Sequence, residues 1–451
     1  MNAELLRRRV SGAVITALEP AFGADHDALV WNGRKPAHRA GLIVRAASVA
    51  DVQEAVRFAA ANGLTVSPRG GGHHFTGVAT RADMVIDLGA LNGLRIDATA
   101  RRARAEPGVT NLQMATALDR KGLAFPLGHC GSVPMSGYLL GGGVGWNGGA
   151  WGMACGLVTS AEVVLADGRL VTASPTENPE IFWAVRGAGP GFFGIVTAWQ
   201  LDLKPAPAVI ETVVRVYPGS MADEVAAWAE TVMAKAPAAV EFTAKVAAGP
   251  AGPIVAVIAT VFADSAEAAR LVHADLALGA PPSLDQIGPM QSPLAGLYMA
   301  TDPSVPAGRR YRADSVWSDG SLGQILGHVV AGMARAPSAE TFAVLTLAPN
   351  AAPLPANAAC SCSGRIFGAI YALWADAAED LRNAAWLHGL IAEIAPLATG
   401  AYVGLCDLDR PGGHLPTHSE TASLRLAALR RRFDPAGVFA SAPAAVALAA
   451  E

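Results

Sequence analysis

Apolar and polar positions change period repeatedly along residues 41–97. "AGLIVRA" is a short apolar run of strand character, "SVADVQEAVRFAAANG" carries its apolar residues at helical spacing, "LTVSPRGGG" is a strand running into a loop, and "DMVIDLG" is another strand. Ser48 sits at the N-cap position of the predicted helix and Gly63 just past its end. Glycine then crowds residues 128–156, and "SAEVVLADGRLVTAS" predicts a β-hairpin turning at Asp167-Gly168. In "LDLKPAPAVIE" the glycine density falls and prolines mark a linker. Beyond it, "MADEVAAWAETVMAKA", "SAEAARLVHADLAL" and "AEDLRNAAWLHGLIAEIAPL" predict helices, while "AVEFTAKVAA", "PIVAVIATVFA" and "SGRIFGAIYALW" predict strands. The tail "SLRLAALRRRFDPAGVF" is a basic amphipathic helix ended at Asp434-Pro435. Strands and helices in this order give an α+β chain whose second region is a sheet backed by helices.

Composition narrows the function classes. With 451 residues, 52% hydrophobic and 16% charged, the chain has ample apolar material for two or more lobes. The net charge of -4, with no basic block that could follow a phosphate backbone, argues against nucleic acid as a partner. The apolar run "PIVAVIATVFA" is far short of the roughly 20 residues that span a bilayer, so no membrane partner is expected. "LRRRVSGAVITAL" imitates a signal peptide, but Glu4 precedes the arginines and no A-x-A site follows. Cysteines 130, 155, 360, 362 and 406 form no disulfide framework, and Cys360-x-Cys362 has neither redox nor zinc spacing. A reducing, cytoplasmic location is the expectation, and the oligomeric state is open.

Candidate chemistry concentrates in "SPRGGGHHFTG" and "GHCGSVPMSGYLLGGGVGWNGGAWG". Consecutive glycines let backbone N–H groups converge on an anion such as a pyrophosphate. No Gly-Lys-Ser/Thr follows, which excludes the Walker form. Gly143-x-Gly145-x-x-Gly148 satisfies the dinucleotide fingerprint literally, but "WNGGAWGMACG" after it is too glycine-rich to hold the helix that a Rossmann site requires. These segments are either tight loops without a ligand or the bed of a long cofactor wrapped in irregular backbone. Zinc on His73, His74, His129 and Cys130 is conceivable, yet no pair has the spacing of a metal cage, and no metal is expected.

"PRGGGHHFTG", "GHCGSVPMSGYLLGGGVG", "VVLADGRLVTASPTENPEIFWAVRGAGPGFFGIVT" and "RRRFDPAGVF" resemble, in that order, signatures of the berberine bridge enzyme-like flavoproteins. These are a branch of the vanillyl-alcohol oxidase superfamily with a PCMH-type FAD-binding domain. The resemblance covers residues 25–205 and the tail, and is weak in between. It implies a PCMH-type FAD-binding domain of two α/β subdomains over residues 1–204, a substrate-binding domain with an antiparallel sheet backed by helices over 205–408, and a C-terminal segment, 409–451, returning to the first domain. It implies that His73 bonds the 8α-methyl of the isoalloxazine and that Cys130 bonds flavin carbon 6, as in the bicovalent subset of the family. Around these anchors, it places Arg69, Gly70, Gly71, Gly72 and Gly77 with His74 at the pyrophosphate and ring. Further cofactor contacts are expected from His129, Val133, Ser136, Gly137, Leu140, Gly141, Gly142, Gly145 and Trp146, and from Gly194, Ile195 and Val196. Two positions depart from the family's pattern. Val133-Pro134 stands where Val-Gly is usual, and Tyr402-Val403-Gly404 stands where Tyr-x-Asn is usual.

The resemblance also implies hydride removal from a carbon bearing oxygen or nitrogen, with a base taking the hydroxyl or amine proton. By position, Tyr402 is the first candidate base, with Glu241 in "AVEFTAKV" and Tyr311 in "GRRYRAD" behind it. His129, Asn147, Trp151 and Tyr402 are the expected substrate contacts. A valine at position 133 is associated in the family with an open path for dioxygen, which implies an oxidase releasing hydrogen peroxide; a dehydrogenase using another acceptor is the alternative. The small-molecule substrate is expected to be aromatic or a secondary metabolite, with a carbohydrate as the alternative. A flavin-bearing protein that binds ligand without turnover belongs to a different class and stays open.

Overall fold

A computed structural model describes residues 3–440; residues 1–2 and 441–451, the two ends of the expected first and third segments, lie outside the described residues. The alternating pattern of residues 41–97 builds a four-stranded sheet in the order Ala13–Thr16, Leu42–Arg45, Met84–Asp87, Val66–Arg69. Its first pair is antiparallel and the other two are parallel. The helix Val49–Ala61 begins where the Ser48 side chain accepts from the Asp51 N–H, and ends before Gly63, whose φ is +64°. Its buried Val52, Ala55, Val56 and Ala59 pack onto Leu42, Val44, Val66 and Met84. The open edge of Val66–Arg69 is closed by the C-terminal tail, since Val66 N–H donates to Val438 O and Ala440 N–H to Val66 O. Strand Val66–Arg69 therefore delivers the glycine run from a braced position.

A second, five-stranded antiparallel sheet has the order Leu94–Asp97, Arg102–Ala105, Ile195–Asp202, Val158–Val164, Leu170–Ala173, and its last two strands are the predicted hairpin. The glycine-rich stretch beside it differs from expectation. Gly148–Trp151 forms one helical turn, between Asn147 at φ +54° and Gly152 at φ +76°. A single turn needs little propensity, and left-handed residues at both ends stop it from propagating.

The third sheet is antiparallel throughout and has seven strands, in the order Asp285–Gln291, Val209–Pro218, Gly252–Ala263, Val240–Gly249, Phe342–Leu347, Ile366–Trp374, Arg310–Ser318. Helices Ala222–Met233, Leu322–Met333 and Asp380–Ile394 cover one face through a shared apolar core. Along Val240–Gly249, burial alternates with period two. Val240, Phe242, Ala244 and Val246 are buried against the helices, which turns Glu241, Thr243 and Lys245 to the other face. That face is one wall of the cavity described next. No helix among the described residues is long and apolar enough to cross a membrane.

Candidate active site

The main cavity, about 730 Å³, lies between the glycine-rich loops of the first part of the chain and the uncovered face of the seven-stranded sheet. This is within the roughly 300–1,000 Å³ of small-molecule and cofactor sites. Its first wall starts at residues 70–74. Arg69 does not line the cavity; it braces the loop from behind. Its guanidinium donates to the carbonyls of Leu29 at 3.1 Å, Gly70 at 3.2 Å and Gly71 at 3.1 Å, and to Asp87 Oδ1 at 3.1 Å. The Gly72 carbonyl accepts from the Trp31 N–H at 3.1 Å. In a trans peptide the C=O and the following N–H point in opposite directions. Tying down the carbonyls of Gly70, Gly71 and Gly72 therefore turns the N–H groups of Gly71, Gly72 and His73 the other way, and they donate to no acceptor among the described residues. The loop can close this tightly because Gly72 has φ +65° and approaches the Leu29 carbonyl; a Cβ there would lie 1.9 Å from that oxygen. Across from it, Gly137 lines the cavity with open space where a side chain would stand. Free N–H groups on one side and missing side-chain volume on the other make a cradle suited to an anionic, extended cofactor such as FAD.

His73 and His74 diverge, as adjacent residues in an extended segment do. The His73 ring stacks on Trp31, with centroids 4.9 Å apart, and the Ser132 backbone carbonyl lies within its hydrogen-bonding reach. The Cys130 Sγ is 3.4 Å from Ser132 Oγ. One residue thus bridges the two proposed anchors. The loop that carries Cys130 is fixed by Asn111 Nδ2 donating to Cys130 O at 3.0 Å and by the Gly131 N–H donating to Asp302 Oδ1 at 2.9 Å. His74 is occupied structurally: Nδ1 meets Thr76 Oγ1 at 2.9 Å and Nε2 meets Val403 O at 3.4 Å. Burial pulls the pKa of both imidazoles down to about 4, and it pushes the Cys130 thiol up.

The second wall carries ionisable side chains. His129 Nε2 is 2.7 Å from Glu241 Oε1, and the other oxygen, Oε2, accepts from the Asn147 N–H at 3.2 Å. The His129 ring rests on Trp146, with centroids 4.1 Å apart. Two residues 112 positions apart in the chain are thereby joined into a dyad at the cavity surface. Tyr402 enters from the far end of the chain. Its hydroxyl oxygen accepts from the Gly143 N–H at 3.2 Å, and burial pushes its pKa up. Gly404, at the place of the family's asparagine, lies under the Tyr402 ring: a Cβ there would sit 2.7 Å from Cε1, so this ring position and a side chain at 404 exclude each other.

Val133, Ser136, Leu140, Gly141, Gly145, Trp146, Gly194 and Val196 also line the cavity. Several expected residues do not. Tyr311 is fully buried, its hydroxyl donates to Pro306 O, and its ring packs on Trp31 and Phe75, so it supports the His73 stack from behind. Asn147 contributes its backbone N–H while its side chain is buried, and Trp151 packs against Phe262. Gly77 abuts Pro36, Gly142 abuts Met153 and Cys360, and Ile195 is wholly within the core of the first sheet. In each case neighbouring residues pack against the residue and keep it from the cavity surface. Sequence reasoning missed Thr243, Lys245, Phe342, Phe367 and Tyr371, which form much of the sheet wall. The period-two alternation of "VEFTAKVAAG" placed Glu241, Thr243 and Lys245 on one face, but nothing in it says what that face looks onto.

Residues 40–174 match the family model described as FAD binding domain. The chain is 28% identical over 422 residues to the FAD-linked oxidoreductase nodO of Hypoxylon pulicicidum, covering 90% of this chain and 91% of that one. It is 40% identical over 199 residues to the (R)-6-hydroxynicotine oxidase of Paenarthrobacter nicotinovorans, covering 44% and 43%. Among solved structures, the wild-type BBE-like 1 protein of Physcomitrella patens superposes with a TM-score of 0.86 at 19% identity, covering 98% of this chain and 99% of that one. That likeness shows the fold.

Proposed function

Since the chain is an FAD-dependent oxidoreductase of the berberine bridge enzyme-like fold, we propose that it is an oxidase of a small, largely apolar molecule. In this reading it removes hydride from a carbon bearing oxygen or nitrogen, and the His129–Glu241 dyad takes the accompanying proton. Bound FAD would supply the two-electron acceptor, with dioxygen as the final oxidant and hydrogen peroxide as product. The observation that carries the proposal is that one cavity holds both the cradle of free N–H groups and this dyad.

On the cradle side, the N–H groups of residues 71–73 would bind the cofactor's phosphate oxygens, and His73 and Cys130 would hold the isoalloxazine at its 8α-methyl and carbon 6. Their shared neighbour Ser132 supports two attachments to one edge of a ring. On the sheet side, Glu241 accepts the His129 Nε2–H, which leaves Nδ1 as the lone pair that receives the substrate's proton. The resulting imidazolium is stabilised by the carboxylate 2.7 Å away, and Asn147 N–H keeps that carboxylate from swinging. Tyr402 acts as a donor rather than a base. Burial disfavours its phenolate more than the Gly143 N–H on its oxygen favours it, so its proton is available to a substrate or ring heteroatom. Phe342, Phe367 and Tyr371 would hold an aromatic substrate against the sheet.

A screen of candidate alcohols and amines should give peroxide in proportion to substrate consumed; turnover with an artificial acceptor and no peroxide would make the enzyme a dehydrogenase. Acid-precipitated wild-type protein should stay yellow. H73A and C130A singly should each keep bound flavin through the remaining anchor, and the double variant should release all of it. Retention in the double variant would refute the attachment sites.

A further inference from the structure

Among the described residues, three cations line the cavity: Arg81, Arg365 and Lys245. Arg81 is paired with Asp409, and Arg365 Nη2 lies 2.7 Å from Glu230 Oε1. Lys245 has no carboxylate partner among the described residues. Its Nζ donates to Ser304 Oγ at 2.7 Å and stands 4.9 Å from the centroid of Phe342, which in turn stacks on Tyr371 at 4.8 Å. The carboxylate that lines the cavity, Glu241, is on the same face of the same strand but four residues away, roughly 13 Å at the rise of an extended chain. It is already shared between His129 and Asn147. Thr243, between them, spends its hydroxyl on Thr346 at 2.9 Å. Burial pulls the Lys245 pKa down, with no acid near enough to oppose it.

An ammonium partly withdrawn from water without a counter-ion is disfavoured, and one hydroxyl offsets little of that cost. A ligand anion would supply what the chain does not. We propose that Lys245 is the specificity determinant for a substrate bearing a carboxylate. The carboxylate would sit beside Lys245 and Ser304, its aromatic body against Phe342 and Tyr371, and its oxidised carbon toward the His129–Glu241 end. This rests on the oxidase reading above and deepens it by naming the substrate class.

The test uses the flavin-loaded protein and two probes of nearly equal shape, benzoate and benzamide, titrated while perturbation of the flavin absorbance and the heat of binding are followed. Wild type should bind benzoate about tenfold or more tightly than benzamide. K245M should abolish that preference and K245R should keep it. Equal binding of the two probes by wild type, no binding of benzoate, or a preference that survives K245M would each overturn the assignment. So would a K245M defect confined to reoxidation of the reduced flavin. If K245M does not load flavin, K245Q decides, because it keeps a polar stem without the charge and must lose the preference for benzoate. Failure of the oxidase reading would show separately, as absence of peroxide with every substrate.

Discussion

Residues 70–74 and the strand Val240–Gly249 border one cavity, but they contribute different chemistry. The first offers peptide N–H groups, aimed by carbonyls that Arg69 and Trp31 hold from behind. The second offers side chains, Glu241, Thr243 and Lys245, aimed by the alternation of a strand whose other face is packed on helices. A wall made of backbone tolerates almost no change in its residues, because φ and close packing define it. A wall made of side chains can be rewritten one alternate position at a time without disturbing the sheet. The first suits a fixed cofactor and the second a substrate that differs from relative to relative.

The comparison predicts distinct failures on the two sides. Where His129 of the glycine-rich loop meets Glu241 of the sheet wall, H129A should slow anaerobic reduction of the flavin by substrate about 100-fold or more, within the range for losing a general base, with little change in thermal stability. E241Q should lose less and shift the pH–rate profile, because the amide still orients the ring but cannot stabilise its charge. A near wild-type reduction rate in H129A would mean that the dyad takes no proton and supplies shape alone. On the cradle wall, G72A should cost about 2–4 kcal/mol in urea unfolding, because a left-handed φ is combined with a Cβ 1.9 Å from a carbonyl oxygen. T243S on the opposite wall should stay within about 1 kcal/mol; equal losses would erase the distinction.

The smallest effect is one of pH. In the folded chain the His73 and His74 imidazoles titrate near 4, against about 6.5 unfolded. Between these values the unfolded chain binds more protons, so stability is full above about 6.5 and falls as pH drops toward 4. H74Q should flatten that decline relative to wild type in urea midpoints measured across the window. An unchanged slope would show that His74 is not held neutral by the fold.

The sequence by itself determined the glycine run. Glycines at positions 70–72, with His73 and Cys130, are legible as local motifs, whereas the aim of the cradle's N–H groups also needs Leu29, Trp31 and Asp87, which hold Arg69 and the loop from elsewhere in the chain. It likewise determined the α+β organisation, through the change from a short apolar run to helical spacing at Ser48 and through the strand pattern of "AVEFTAKVAA". Its choice of Tyr311 fails because a strand's two faces are equivalent in sequence until something packs on one of them; Trp31 and Phe75 take the face that carries this ring. Only the tertiary structure could join His129 to Glu241, lay the Tyr402 ring over Gly404, and leave Lys245 without a counter-ion among the described residues. Those relations link residues from a few to more than a hundred positions apart, and they depend on side-chain directions that arise only when the sheet closes over the loops.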